Sequence, residues 1–131
     1  MTSPNYPEHY NGGLDCRWLI AAPVQNIITL KVLDFETYDG SHVGSKENLV
    51  IYDGTNMHSQ SLKTLSGTAS SDLIISTGSN VYLRFTTIIG IPYSFRGFKL
   101  EIENLGKYIL PPNMPISSRF YINLVATDIH K

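Results

Sequence analysis

Apolar and polar residues alternate with a period of two along most of the chain up to Glu103, which is the pattern of strands with one covered face. Asp15 to Ala21 puts Cys16, Trp18 and Ile20 on one side, and Val81 to Thr86 puts Val81, Leu83 and Phe85 against Tyr82, Arg84 and Thr86. Phe98 to Glu103 repeats the alternation. The longest run, Ile27 to Glu36, keeps Ile28, Leu30 and Val32 in phase and slips at Val32-Leu33, after which Leu33 and Phe35 flank Asp34. A bulge, or a strand end covered on both faces, accounts for the slip. Asn48 to Gly54 reads as the return strand, and Ser61 to Leu65 and Asp72 to Ser76 as two shorter ones. The shared phase predicts a core of Trp18, Ile20, Leu30, Leu83, Phe85, Phe98 and Leu100 between two sheets.

No window holds apolar residues at helical spacing for more than a turn, and turn signals recur throughout, so the chain reads as an all-β sandwich of two antiparallel sheets. Thr2 to Gly13 is turn chemistry with two tyrosines, held extended by Pro4 and Pro7. Composition changes near Asn104, which places a domain at 1–104 and a C-terminal extension at 105–131. Within the extension, Leu110 to Pro115 reads as a stiff linker. Phe120 to Val125 is expected to dock as a further strand on this sheet or a neighbour's, because a lone apolar strand is not stable in water.

The chain has 131 residues, 42% hydrophobic, with a formal net charge of -1. That is enough to bury one core, and it supplies no field to attract nucleic acid. No apolar run approaches the ~20 residues that span a bilayer, and Met1-Thr2-Ser3-Pro4 lacks the apolar core of a signal peptide, so a leader, if the protein is secreted, lies outside this sequence. Cys16 is the one cysteine. No disulfide can close within the chain, every Cys/His zinc pattern is excluded, and taken alone this favours a reducing compartment or a buried thiol. The four histidines, His9, His42, His58 and His130, lack metal-ligand spacing, and no nucleophile-elbow, metalloprotease or phosphate-loop motif occurs. The chain is expected to be no enzyme. Glu36, Asp39, His42 and Glu47 gather between two strands, so a site is expected at that end of the pair. Tyr6, Tyr10, Tyr38, Tyr52, Tyr82 and Tyr93 fall mostly at loops or outward positions, which suits a recognition surface and equally suits scattered surface tyrosines with no shared role.

In order along the chain, Ser3-Pro4-Asn5-Tyr6-Pro7, Cys16-Arg17-Trp18-Leu19-Ile20, Leu33-Asp34-Phe35-Glu36, Asn48 to Gly54, Gly78 to Phe85 and Gly97-Phe98 resemble the CUB domain, a jelly-roll β-sandwich found mainly in extracellular proteins. The resemblance implies that Cys16 pairs with a cysteine upstream, outside this sequence. It also implies a second bridge near Val43 to Lys46 and at Ser66, where this chain has no cysteine. Calcium-binding members take carboxylates from three loops. Glu36 matches the first ligand position and Glu47 the second, but the loop Thr86 to Gly90, where the third acid should lie, has none. With Asp39 as the substitute third acid the set makes at best a weak calcium site, and a metal-free acidic patch is the preferred reading.

What the resemblance implies for function is a noncatalytic extracellular module for adhesion or assembly. It would bind a protein partner within a larger extracellular or membrane-associated assembly through Glu36, Tyr38, Asp39, Glu47 and Tyr93. A carbohydrate-binding adhesin and an accessory domain of a secreted protease are the alternatives.

Overall fold

A computed structural model describes residues 1–41, 44–69, 72–91, 94–107 and 125–129, the last by backbone alone. Its strands are β1 (Asp15–Ala21), β2 (Asn26–Glu36), β3 (Asn48–Asp53), β4 (Gln60–Leu65), β5 (Leu73–Ile75), β6 (Asn80–Thr86), β7 (Gly97–Lys107) and β8 (Val125–Ile129). They form a five-stranded sheet, β4-β3-β6-β1-β8, and a three-stranded sheet, β5-β2-β7, with every pairing antiparallel. Thr2 bridges Lys99, so the N-terminal residues extend the second sheet along the edge of β7. The fold is the expected jelly-roll β-sandwich.

The inward phase read from the sequence is the one the strands adopt. Cys16 stands opposite Phe85, Trp18 opposite Leu83 and Ile20 opposite Val81, while Leu49 and Ile51 of β3 flank β6 from its other side. Ile28, Leu30, Val32, Phe35, Phe98 and Leu100 of the second sheet face them across the buried layer. Phe98 is its hub: the ring is edge-on to Trp18 at 5.9 Å and to Phe85 at 5.1 Å, and stacks on Phe35 at 6.1 Å. Each such fully buried aromatic stabilises the fold by about 1.5 to 3 kcal/mol.

The slip at Val32-Leu33 is a bulge, since the β2–β7 register shifts between Val32 and Asp34. Leu33, read as one of the apolar pair around Asp34, is the extra residue, and it stands 43% exposed. Inserting one residue lets Val32 and Phe35 both point inward and turns Asp34 to the outside at the strand's end.

The extension is described only in part. β8 runs antiparallel to β1, with Ala21 opposite Val125 and Arg17 opposite Ile129. Of the stretch expected to dock, Val125 begins this strand and Phe120 to Leu124 lie outside the described residues.

Candidate functional site

The ends of β2 and β6 and the starts of β3 and β7 meet at one end of the sandwich, where most of the ionisable side chains singled out above converge. The bulge delivers Asp34 and Glu36 to the outer side of β2, and β7 begins opposite them, with Glu36 facing Gly97. Gly97 has a φ of +85°, and a β-carbon there would fall 1.9 Å from the Ser3 hydroxyl, so glycine is required. That close approach holds the N-terminal turn on β7: Ser3 N–H donates to Phe98 O at 3.0 Å, and Phe98 N–H donates to Ser3 Oγ at 2.9 Å.

Arg96, just ahead of Gly97, is the centre of the first polar cluster. Its Nε and Nη2 donate to both Asp34 oxygens at 2.6 and 2.7 Å, and its Nη1 donates to Glu36 Oε2 at 2.6 Å. Its backbone N–H takes Glu36 Oε1 at 3.2 Å. Tyr6 adds a hydroxyl to Asp34 Oδ2 at 2.6 Å, tying the N-terminal turn to the cluster. The Arg96 guanidinium, helped by Tyr6, draws the Asp34 carboxyl down to about 2.

A second cluster lies inside. Glu47 is 2% exposed. Its Oε1 accepts from the Tyr10 hydroxyl, and its Oε2 accepts from Ile88 N–H at 2.7 Å. Burial first, and then the bond to Glu47, push the Tyr10 hydroxyl far above the usual phenol range. The Tyr10 ring packs edge-on against Phe85 at 5.2 Å, so this polar pair rests directly on the core. Glu47 O accepts from Ser66 Oγ at 2.7 Å and from Thr37 Oγ1 at 3.2 Å, and Glu47 N–H closes the loop base on Tyr38 O at 3.1 Å. Ser66, at a place where the resemblance implies a bridging cysteine, thus holds the same loop by hydrogen bonds.

The predicted residues therefore separate. Glu36 and Glu47 lie at the same end, near enough that both act on Tyr10, but each carboxylate has its own donors. Asp39 is exposed on a turn, its Oδ1 accepting from Ser41 N–H at 2.9 Å. Tyr38, expected at the surface, is 2% exposed and packs near Phe95 with ring centroids 6.0 Å apart; Tyr10 is buried as well. Tyr38 and Glu47 thus offer a partner almost no surface, because the loop folds back over them. Tyr93 and His42 lie outside the described residues. Cys16 is fully buried on β1. No group of three or more metal-ligating side chains converges among the described residues. The donors do not fit calcium, which needs six to eight oxygens free to face it: Arg96 engages Glu36, Tyr10 and Ile88 engage Glu47, and the loop after Phe85 contributes an amide hydrogen, not an acid.

Two clefts open beside these clusters. One of about 460 Å³ is lined by Glu36, Thr37, Asp39, Gly67, Thr68 and Phe95. The other, of about 270 Å³, is lined by His9, Tyr10, Asn11, Glu47 and Ile88. Arg96, Asp34, Tyr6 and Tyr10 carry this end; the sequence pattern marks neither Arg96 nor Asp34 as a site residue, and it marks Tyr6 and Tyr10 only as surface tyrosines, not as donors to buried or strand-end carboxylates. The one signal for Arg96 is its position next to a glycine at the head of a clearly alternating strand.

Fold and site together define a small antiparallel β-sandwich module whose conspicuous polar chemistry is concentrated at one loop end. The chain belongs to the CUB domain family, whose model matches residues 1–101. It is similar to cubilin of Sus scrofa, 38% identical over 135 residues covering 99% of this chain and 4% of that protein. It is also similar to neuropilin-2 of Homo sapiens, 30% identical over 125 residues covering 90% of this chain and 13% of that protein. The chain thus spans a small fraction of these relatives. Among solved structures, the CUB1-EGF-CUB2 domain of human MASP-1/3 superposes with a TM-score of 0.68 at 20% identity, covering 79% of this chain and 40% of that one.

Proposed function

We propose that the chain is a noncatalytic extracellular protein-interaction module, one unit of a larger assembly, that meets its partner at the loop end. Membership of a family found mainly in extracellular proteins supports the compartment. The observation that carries the surface is the cleft of about 460 Å³ beside exposed Asp39, walled by Glu36, Thr68 and Phe95. An aromatic wall with a carboxylate at the rim suits a basic side chain of a partner protein, the acid giving orientation and the apolar wall most of the affinity. The module read from composition is residues 1–104, although β7 carries the sandwich on to Lys107, and the remainder of the extension to 131 serves it by adding β8 to the edge of β1.

A panel of ectodomains displayed on cells, probed with wild type and with Asp39→Lys, tests this. A binder that Asp39→Lys weakens about tenfold or more, while Val24→Lys at the opposite end leaves it unchanged, supports the reading. Binding that ignores Asp39→Lys and is lost with Val24→Lys moves the surface to the other end.

A further inference from the structure

Where the family resemblance leads one to look for a bound cation, the chain presents its own. Arg96 places a donor on each of the four oxygens of Asp34 and Glu36, three from the guanidinium and one from its backbone N–H. Deeper in, both oxygens of Glu47 are taken by the Tyr10 hydroxyl and Ile88 N–H. A metal cage needs acceptors that converge on empty space. Here the acceptors converge on N–H and O–H donors, and the strand-end loop that lacks a third acid supplies an amide hydrogen in its place.

The same substitution extends to the loop's covalent anchor: Ser66 Oγ donates to Glu47 O at 2.7 Å and to Tyr38 O at 3.3 Å, where the resemblance implies a disulfide. We propose that Arg96 is the resident cation of this loop end, and that Arg96, Tyr10, Ile88 N–H and Ser66 together close it without metal, so that the end is ordered at any calcium concentration. The forked guanidinium matters: its planar donors reach two carboxylates on one strand at once, which a lysine ammonium cannot reproduce. The inference concerns closure of the end itself and does not depend on which partner the module meets.

Thermal unfolding of the chain by circular dichroism, in EGTA and in excess calcium chloride, tests it. Wild type is expected to unfold at the same temperature in both. Arg96→Met is expected to lower the midpoint by several degrees in both, and Arg96→Lys to recover only part of that loss. A resident ion at calcium well above its Kd would raise the wild-type midpoint by about 5 °C or more. Such a rise overturns the proposal, as does an Arg96→Met midpoint equal to that of wild type. Should Arg96→Met fail to fold, the wild-type calcium response and Arg96→Lys still decide. Titration of wild type with terbium gives a readout apart from stability: saturable Tyr- or Trp-sensitised luminescence that calcium competes away refutes metal-free closure, and its absence supports it.

Discussion

Arg96 serves two carboxylates, whereas Asp15 serves two guanidiniums. At the loop end, one cation joins Asp34 and Glu36 and, through Tyr6, three separate segments of chain. On the outer face of the five-stranded sheet, Asp15 accepts two bonds from Arg17 and two from Arg84, all between 2.9 and 3.1 Å, within adjacent strands β1 and β6. Arg84, and then Arg17, hold the Asp15 carboxyl well below the usual carboxylate range. The first cluster leaves a negative charge over and the second a positive one. Both reach across some 60 to 70 residues of sequence, but the first ties in the N-terminal turn through Tyr6, while the second joins only residues of strands that the backbone ladder already pairs. The lesson is that ion pairs of equal geometry do different jobs: one defines tertiary closure, the other levels charge on a finished sheet.

Both clusters rest on one core, so the strongest way to break the comparison is to remove what they share. Phe98→Ala, which empties the contact among Trp18, Phe35 and Phe85, should cost about 3 to 5 kcal/mol in denaturant unfolding. A cost below about 1 kcal/mol would mean that the two sheets are not joined through that ring. Next comes Asp15→Ala. It leaves Arg17 and Arg84 facing each other without a counter-ion, and because both side chains are partly solvated the expected loss is about 1 to 3 kcal/mol, relieved by added salt. A loss that salt does not relieve would point to packing and not charge.

The smallest effect is a pH dependence that separates the loop end from the rest. The folded-state value of Asp34 is lowered from 3.8 to about 2, so it binds fewer protons folded than unfolded. Its contribution is complete above pH 4 or so and is lost as the pH falls toward about 2. Solvent screening limits it to about 1 to 2 kcal/mol. Asp15 acts in the same direction. Asp34→Asn should therefore flatten the acid limb of stability without abolishing it. An unchanged limb would mean that Asp34 and Arg96 are not paired in solution.

The strands and the core were legible because period-two patterning is a local signal: Trp18, Leu83, Phe85 and Phe98 declare their face within their own strands. Even the bulge at Leu33 showed as a slip in phase, although only the register with β7 decides between a bulge and a doubly covered end. The loop end was legible as a place and not as a mechanism. Glu36 and Glu47 were found because they stand at strand ends, but what engages them comes from elsewhere in the chain. Arg96 lies in a loop with no period, and its acids are on the far side of four strands. Tyr10 and Tyr38 look like surface tyrosines because turn residues surround them, and their burial depends on how the loops fold over one another.

Trp18 is the chain's one tryptophan, and its edge-on contact with Phe98 spans the two sheets. Its indole is buried, so its emission belongs to the blue, apolar end of the tryptophan range and moves red only when water enters between the layers. The molecule therefore carries its single tryptophan, which can be excited apart from its eight tyrosines, at the seam of its sandwich. An optical signal from that seam reports separation of the sheets and stays silent while the loop end alone opens, which distinguishes the two events without any added label.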